Sequence, residues 1–440
     1  MTAEIAMLNK QAVALAADSA VSTSDKIFRS ANKIFSLSKT APVAIMVYSR
    51  ADFCGIPWET IIKEYRRNNG QQKFDTLHDY VINFLNFIQN NPIIKSNTYA
   101  ENSLIYLIAF DFIDRIENNL SNIVQAESRR LGKVPPTLIS DIINLVFREN
   151  FTLTSNLPEL SLKEYFTYER FIEKFSDDIV SIYEKKVKKF EVFIDNLFEK
   201  FSYAIYNLAT SSIFPIGYSG VVFAGFGENE IYPSVETYHL GNFLDGNLQL
   251  IKINDKCCNI SNDNSATVIP FAQDDIITMF VEGIHPQIKN NIVGTFNAVI
   301  EEQIDSLFNI LNISKRKRTE ASETIKEFTK RIQEKLGTNI DSFININFIY
   351  PTINIISILP PDELANLAES LINLTTIKRQ ISLDRETVGG PTDVALISKG
   401  DGLIWIKRKH YFDPQLNHHF FKNYFNTGGN HERINEEEKD

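Results

Sequence analysis

The sequence predicts an α+β fold, and three observations predict it. Residues 2–50 alternate short apolar runs with turn residues, which is strand patterning. From residue 74 to about 210 the apolar residues recur at i, i+3, i+4 and i+7, the spacing of amphipathic helices. Strand character then returns in a glycine-punctuated middle and in a hairpin near the end, with a second helical block between them. Strands paired into two sheets, with helices on the outer faces, satisfy this order as a layered domain enlarged by two helical insertions.

In chain order, TAEIAML and AVALAAD read as strands separated by the turn NKQ, followed by KIFR, KIFSLS and PVAIMVYS. FDTLHDYVINFLNFI, AENSLIYLIAFDFIDRIENNLSNIV, LISDIINLVF and KKFEVFIDNLFEKFSYAIYNL read as helices. GYSGVVFAGFGENEIYPSVETYHLGN, QLIKI and ATVIPF return to strand, and a second helical block runs from Asp274 to about Lys335. Within that block the basic run Lys315 to Arg318 is expected to be a solvated turn. LPPDELANLAESLINLTTIKRQ has prolines at its start, acids in its first turn and bases in its last, as the helix dipole favours. DVALISKG and GLIWIKRKH form a hairpin, and TGGNHERINEEEKD is expected to be a disordered acidic tail.

Composition narrows the function classes. A chain of 440 residues with 43% apolar content can bury a large core. With 45 basic and 55 acidic residues the formal charge is −10, which disfavours nucleic acid and anionic lipid as partners. Cys54, Cys257 and Cys258 offer neither a disulfide framework nor metal-ligand spacing, so a reduced, cytoplasmic setting is expected. Glu4, Lys10 and Asp18 interrupt the first apolar runs, so no signal-peptide core is expected, and no stretch is long and apolar enough to predict a membrane span. GFGEN at 225–229 lacks a phosphate-loop pattern, His418-His419 reads as a surface pair, and no cofactor or metal is expected.

The first residues carry the chemistry. Removal of Met1 would expose Thr2 with a free amine and a β-hydroxyl in one residue. A hydroxyl needs a base beside it to become a nucleophile, and an α-amine with a pKa near 8 can serve. TAEIAMLNKQAVALAADSAVS, followed by ANKIF and IMVYSRAD, resembles the start of the proteasome β-type threonine peptidases, within the N-terminal nucleophile hydrolases. Thr2 precedes Asp18 by sixteen residues, Asp18 precedes Lys33 by fifteen, and Ala51-Asp52 falls where the family's small-residue loop ends. ELANLAESLINLTTIKRQ and VGGPTDVALISKGDGLIWIKR resemble the family's last helix, Gly-Gly turn and closing hairpin.

The resemblance implies a four-layer αββα sandwich with large helical insertions. Its core would comprise residues 2–73, 211–286 and 351–427, with insertions at 74–210 and 287–350 and a tail at 428–440. It implies catalysis by Thr2, Asp18 and Lys33, an oxyanion hole from the backbone of Tyr48 and Ser49, and a pocket lined by Val21, Ala31, Met46 and Arg50. Asp384, Thr387 and Gly389 would support the site. The implied activity is a threonine protease or amidohydrolase cleaving peptide or other amide bonds. The alternative is a catalytically silent relative serving assembly or interaction. Partners would be a peptide or protein substrate and a dedicated protein partner. The insertions build over the faces through which the family's rings stack, so a monomer or small oligomer is expected rather than a double ring. The chain departs from the family pattern at Tyr48-Ser49-Arg50, where glycines are usual and where side chains predict less backbone freedom. It departs again at Val388, in place of a serine, and at Phe271-Ala272-Gln273, where active members carry one.

Overall fold

The first two apolar runs make a hairpin. Strands β1 (Ala3–Asn9) and β2 (Ala12–Ala17) pair antiparallel, with Glu4 opposite Ala17 and Leu8 opposite Val13. Asn9 holds the turn: its Oδ1 accepts from the N–H of Gln11 at 2.9 Å and of Ala12 at 3.2 Å, an Asx arrangement that replaces backbone bonds. The computed structural model describes residues 3–22, 26–95, 98–310, 315–382, 388–410 and 412–418. Thr2, Asp384, Thr387 and the expected tail at 428–440 lie outside them.

The remaining strands are β3 (Val21–Ser22), β4 (Ile27–Phe28), β5 (Ile34–Ser36), β6 (Val43–Ser49), β7 (Asp52–Phe53) and β8 (Ile56–Pro57). After the helices come β9 (Ser219–Gly225), β10 (Ser234–Leu244), β11 (Asn247–Lys252), β12 (Cys258–Asn259), β13 (Ala266–Ala272), β14 (Asp393–Ser398) and β15 (Gly402–Lys407). Mixed α and β structure with antiparallel pairing is thus the class. The chain divides into two compact units: residues 1–44, 66–73 and 260–440 form one, and residues 45–65 and 74–259 the other.

Unit 1 is built on a five-stranded sheet in the order β13-β1-β2-β14-β15. Strand side chains alternate between faces, and one face buries Ile5, Met7, Ala14, Ala16, Val394 and Leu396 against the helix Pro361–Gln380. That helix offers Leu364, Ala365, Ala368, Leu371 and Ile372, so alanines stand on both sides and let helix and sheet approach closely. The run expected as a turn at Lys315 instead opens the helix Lys315–Ile344. Downstream, Glu320, Ala321, Glu323, Lys326 and Glu327 are strong helix formers with no proline or glycine among them, and their propensity carries through the charge cluster.

Unit 2 contains the strand order β11-β10-β9-β6 and the helices between β8 and β9. Thr76 caps the helix Leu77–Asn90 in a reciprocal capping box with Asp79. The helices Thr98–Leu131, Pro136–Ser155, Tyr168–Ile182 and Leu197–Ala209 converge on a core rich in phenylalanine, including Phe112, Phe147, Phe171, Phe175 and Phe201. The helix expected to run through KKFEVFIDNLFEKFSYAIYNL is broken at Asn196, which takes φ 52°. Asparagine enters the left-handed region more readily than most residues, so a regular apolar period did not mark the break. Among the described residues, no helix is long and apolar enough to cross a membrane.

Candidate active site

Asp18 follows β2 and is the junction of three chain segments in unit 1. Its Oδ1 accepts from the N–H of Ala3 at 3.0 Å and from the Lys33 ammonium at 2.6 Å. Its Oδ2 accepts from the N–H of Ala20 at 3.2 Å and of Gly389 at 2.9 Å. Its own N–H donates to the Ala3 carbonyl at 3.1 Å. A carboxylate out of water requires such a complement of donors, and Asp18 is only 1% exposed.

Lys33, 5% exposed, also faces Glu4, whose Oε1 lies 3.6 Å from the ammonium. Glu4 is completely buried. Sequence reasoning did not single it out, yet the signal was present: it is the sole charged residue in the run AEIAMLN. A second pair was missed as well. Asp393 opens β14 opposite Ala17, accepts from the backbone N–H of Lys409 at 2.9 Å, and forms an ion pair with the Lys409 ammonium. Glu4 and Asp393 therefore flank Ala17 from two neighbouring strands, and all three side chains leave the sheet on one face. The next row, Ile5, Ala16 and Val394, faces the helix on the other side.

The Gly-Gly turn meets this cluster through its backbone. Gly389 takes φ 154° and Gly390 φ 76°, and the Gly389 carbonyl accepts from the N–H of Ser19 at 3.2 Å. A Cβ on Gly390 would stand 2.8 Å from the Arg29 carbonyl oxygen, so the turn needs glycine for space as well as for φ. Val388 is buried in the helix-facing core. Of the proposed pocket residues in this unit, Ala31 donates its N–H to the Ser19 carbonyl at 3.1 Å and Val21 pairs with Phe28. Asp18, Lys33 and Gly389 are thus brought together around the residue that follows Thr2.

Tyr48, Ser49, Met46 and Arg50 belong to unit 2. Ser49 adopts φ 71°, so the backbone there takes a glycine-like conformation despite its side chain, contrary to the restriction expected from the sequence. Met46 is fully buried, and the Arg50 side chain passes close to Gly217. Tyr48 is buried with its ring over Gly220, and its Oη shares a hydrogen bond of 2.7 Å with His239 Nε2. Tyr218 stacks on the same imidazole with centroids 3.8 Å apart.

Burial pulls the His239 imidazole down to about 4, a shift that Asp255 opposes. The folded value lies below the unfolded value of about 6.5, so unfolding takes up a proton between them. The stability this supplies is complete above about pH 6.5 and is lost as pH falls toward about 4. Urea midpoints should therefore drop over that window in the wild type, and by less in His239→Gln. Equal slopes would show that His239 is not held neutral by the fold.

Among the described residues, no group of three or more His, Cys, Asp and Glu is placed to hold a metal ion. No family model matches the chain, and no curated protein matches it. Among solved structures it is similar to the Anbu (Gly-1) mutant from Hyphomicrobium sp. strain MC1. The identity is 8%, over 97% of this chain and 92% of that one, with a TM-score of 0.26. It is similar also to Anbu (ancestral beta-subunit) from Yersinia bercovieri, at 8% identity over 97% of this chain and 98% of that one, with a TM-score of 0.24. The family named from the sequence is corrected: no family model matches the chain, and the solved structures named above are Anbu proteins.

Proposed function

We propose that the chain hydrolyses amide bonds through the hydroxyl of Thr2, exposed by removal of Met1. The observation that supports this reading is the closure of Asp18 Oδ1 on both the Ala3 N–H and the Lys33 ammonium. Ala3 is bonded to Thr2, so one carboxylate oxygen ties the backbone beside the nucleophile to a buried cation. The reading rests on unit 1 alone.

In this scheme the Thr2 hydroxyl attacks the amide carbonyl while its proton passes to the Thr2 α-amine, directly or through water. The amine product leaves with that proton, and water then hydrolyses the ester on Thr2. Lys33 contributes a fixed positive charge that favours the alkoxide-like oxygen as it forms. Asp18 holds Lys33 and the β1 backbone in place. Peptide bonds are the first substrate class proposed, and small-molecule amides the second.

Intact-mass measurement with a β-lactone probe tests the reading. The wild type should lack Met1 and gain one adduct on Thr2. Thr2→Ala should lose labelling by about 10³-fold or more, with unfolding unchanged because one small side chain is altered. Lys33→Ala should lower the rate by about 10²- to 10⁴-fold. Labelling of Thr2→Ala at the wild-type rate would refute the mechanism.

A further inference from the structure

One pair of helices in unit 1 carries more apolar surface than the pair itself covers. The helices Pro286–Ile310 and Lys315–Ile344 pack on each other and run antiparallel, since Lys289 near the start of the first pairs at 2.8 Å with Asp341 near the end of the second. Val293, Phe296, Ile300 and Ile304 form a half-buried row on the first helix, as Ile332, Leu336 and Ile340 do on the second. A further row on the first helix is left exposed: Ile288, Ile292, Val299, Leu307 and Ile310. At about 3.6 residues per turn these residues fall within about 100° of one another, turned about 90° from the half-buried row. Exposure is greatest at the end of the row, where Ile310 is 73% exposed.

Positive charge collects at that same end. Five positions lead from Ile310 to Lys315, a reach of at most about 18 Å, so the run Lys315-Arg316-Lys317-Arg318 that opens the second helix starts close to the end of the row. Consecutive helical positions go round the axis, so a run of this length brings charge to this end whichever way the helix is rotated. Between Asp305 and Glu320 the sequence holds these four cations and no acid. The helix dipole disfavours cations in a first turn, so helix stability does not account for the run.

We propose that this end of the helix pair docks on an anionic lipid surface: the exposed aliphatic row enters the boundary between headgroups and acyl chains, and the cations of 315–318 supply the attraction to the headgroups. Such a surface uses both parts of the patch. Nucleic acid would engage the cations and leave the aliphatic row in water. Protein interfaces draw on aromatic and arginine anchors, whereas the exposed row of the first helix is aliphatic throughout. The formal charge of the whole chain is −10, opposite in sign to this run, so an anionic surface repels the chain as a whole and attracts it by this end. The proposal is independent of the chemistry at Thr2.

Vesicle flotation of the full-length chain is the test. Vesicles of phosphatidylcholine with about one-third phosphatidylserine should carry the protein up the gradient, and vesicles of phosphatidylcholine alone should not. Raising the salt from about 50 to about 500 mM should weaken binding by about tenfold or more. Lys315→Ser with Lys317→Ser should weaken it roughly 30-fold, at about fivefold per cation. Leu307→Ser with Ile310→Ser should weaken it by about tenfold or more, at an unchanged melting temperature because both side chains are more than half exposed. A wild type that stays at the bottom of the gradient with anionic vesicles at low salt overturns the proposal without any variant. Flotation that falls with the lysine pair but ignores the Leu307 and Ile310 pair overturns it too, and tighter retention on a single-stranded oligonucleotide assigns the run to nucleic acid. A dimer in light scattering that Leu307→Ser with Ile310→Ser dissociates, in a protein that does not float, assigns the row to a second copy of the chain.

Discussion

Asp18→Ala is expected to destabilise the protein by about 3–5 kcal/mol, the cost of breaking a buried ion pair from one side. The carboxylate takes the N–H groups of Ala3, Ala20 and Gly389 together with the Lys33 ammonium. Alanine leaves these donors without their acceptor in a region where Asp18 was 1% exposed, and each buried, unsatisfied N–H costs about 1–3 kcal/mol unless water enters. Asp18→Asn keeps the shape and one carbonyl oxygen, so it should be milder in stability while still weakening the hold on Lys33. Urea denaturation of both variants measures the difference. A loss below about 1 kcal/mol for Asp18→Ala would show that the three segments are joined by other contacts.

Gly220→Ala is the second large effect. A Cβ at Gly220 would lie 2.1 Å from Tyr48 Cζ and 2.3 and 2.4 Å from its two Cε atoms, far inside van der Waals contact with the ring. The ring has little room to yield, because Tyr48 is buried and its Oη is bonded to His239, the residue paired with Gly220 across β9 and β10. Overpacking of this kind costs about 1–3 kcal/mol, and the upper end or beyond is expected here because the obstacle is a held ring rather than a flexible tip. Gly294→Ala is the control. Its Cβ meets nothing within 4 Å in the helix Pro286–Ile310, so it should be neutral or stabilising. Equal melting temperatures for Gly220→Ala and wild type would show that Tyr48 does not occupy the space over the glycine.

Local chemistry was legible where one short segment determines it. Asn9 in NKQ made a turn because its own side chain serves the next N–H groups, and Pro361, Asp362, Glu363, Lys378 and Arg379 marked both ends of their helix. Asp18 and Lys33 were named through the resemblance, and the structure pairs their side chains. Glu4 was marked only as the sole charge in an apolar strand, and its partner, Lys33, sits on a different segment. Asp393 and Lys409 were overlooked for a similar reason: only the folded hairpin returns residue 409 to residue 393. Asn196 broke a helix whose apolar period continued through it, since periodicity records which face is buried and not where φ changes sign.

The Asp18 junction also orders events during synthesis. The carboxylate binds Ala3, Ala20 and Lys33, which lie within 15 positions of it, and Gly389, which comes 371 positions later than Asp18. Until β14 emerges, the edge of β2 that faces away from β1 has no strand beside it in this sheet. At about 5–20 residues per second, that wait lasts roughly 20 to 75 s. Through that interval the nascent chain carries an incomplete charge cluster, with Oδ2 still open to water where Gly389 will bind. The junction can therefore close only after the 371 positions that separate Asp18 from Gly389 have been made.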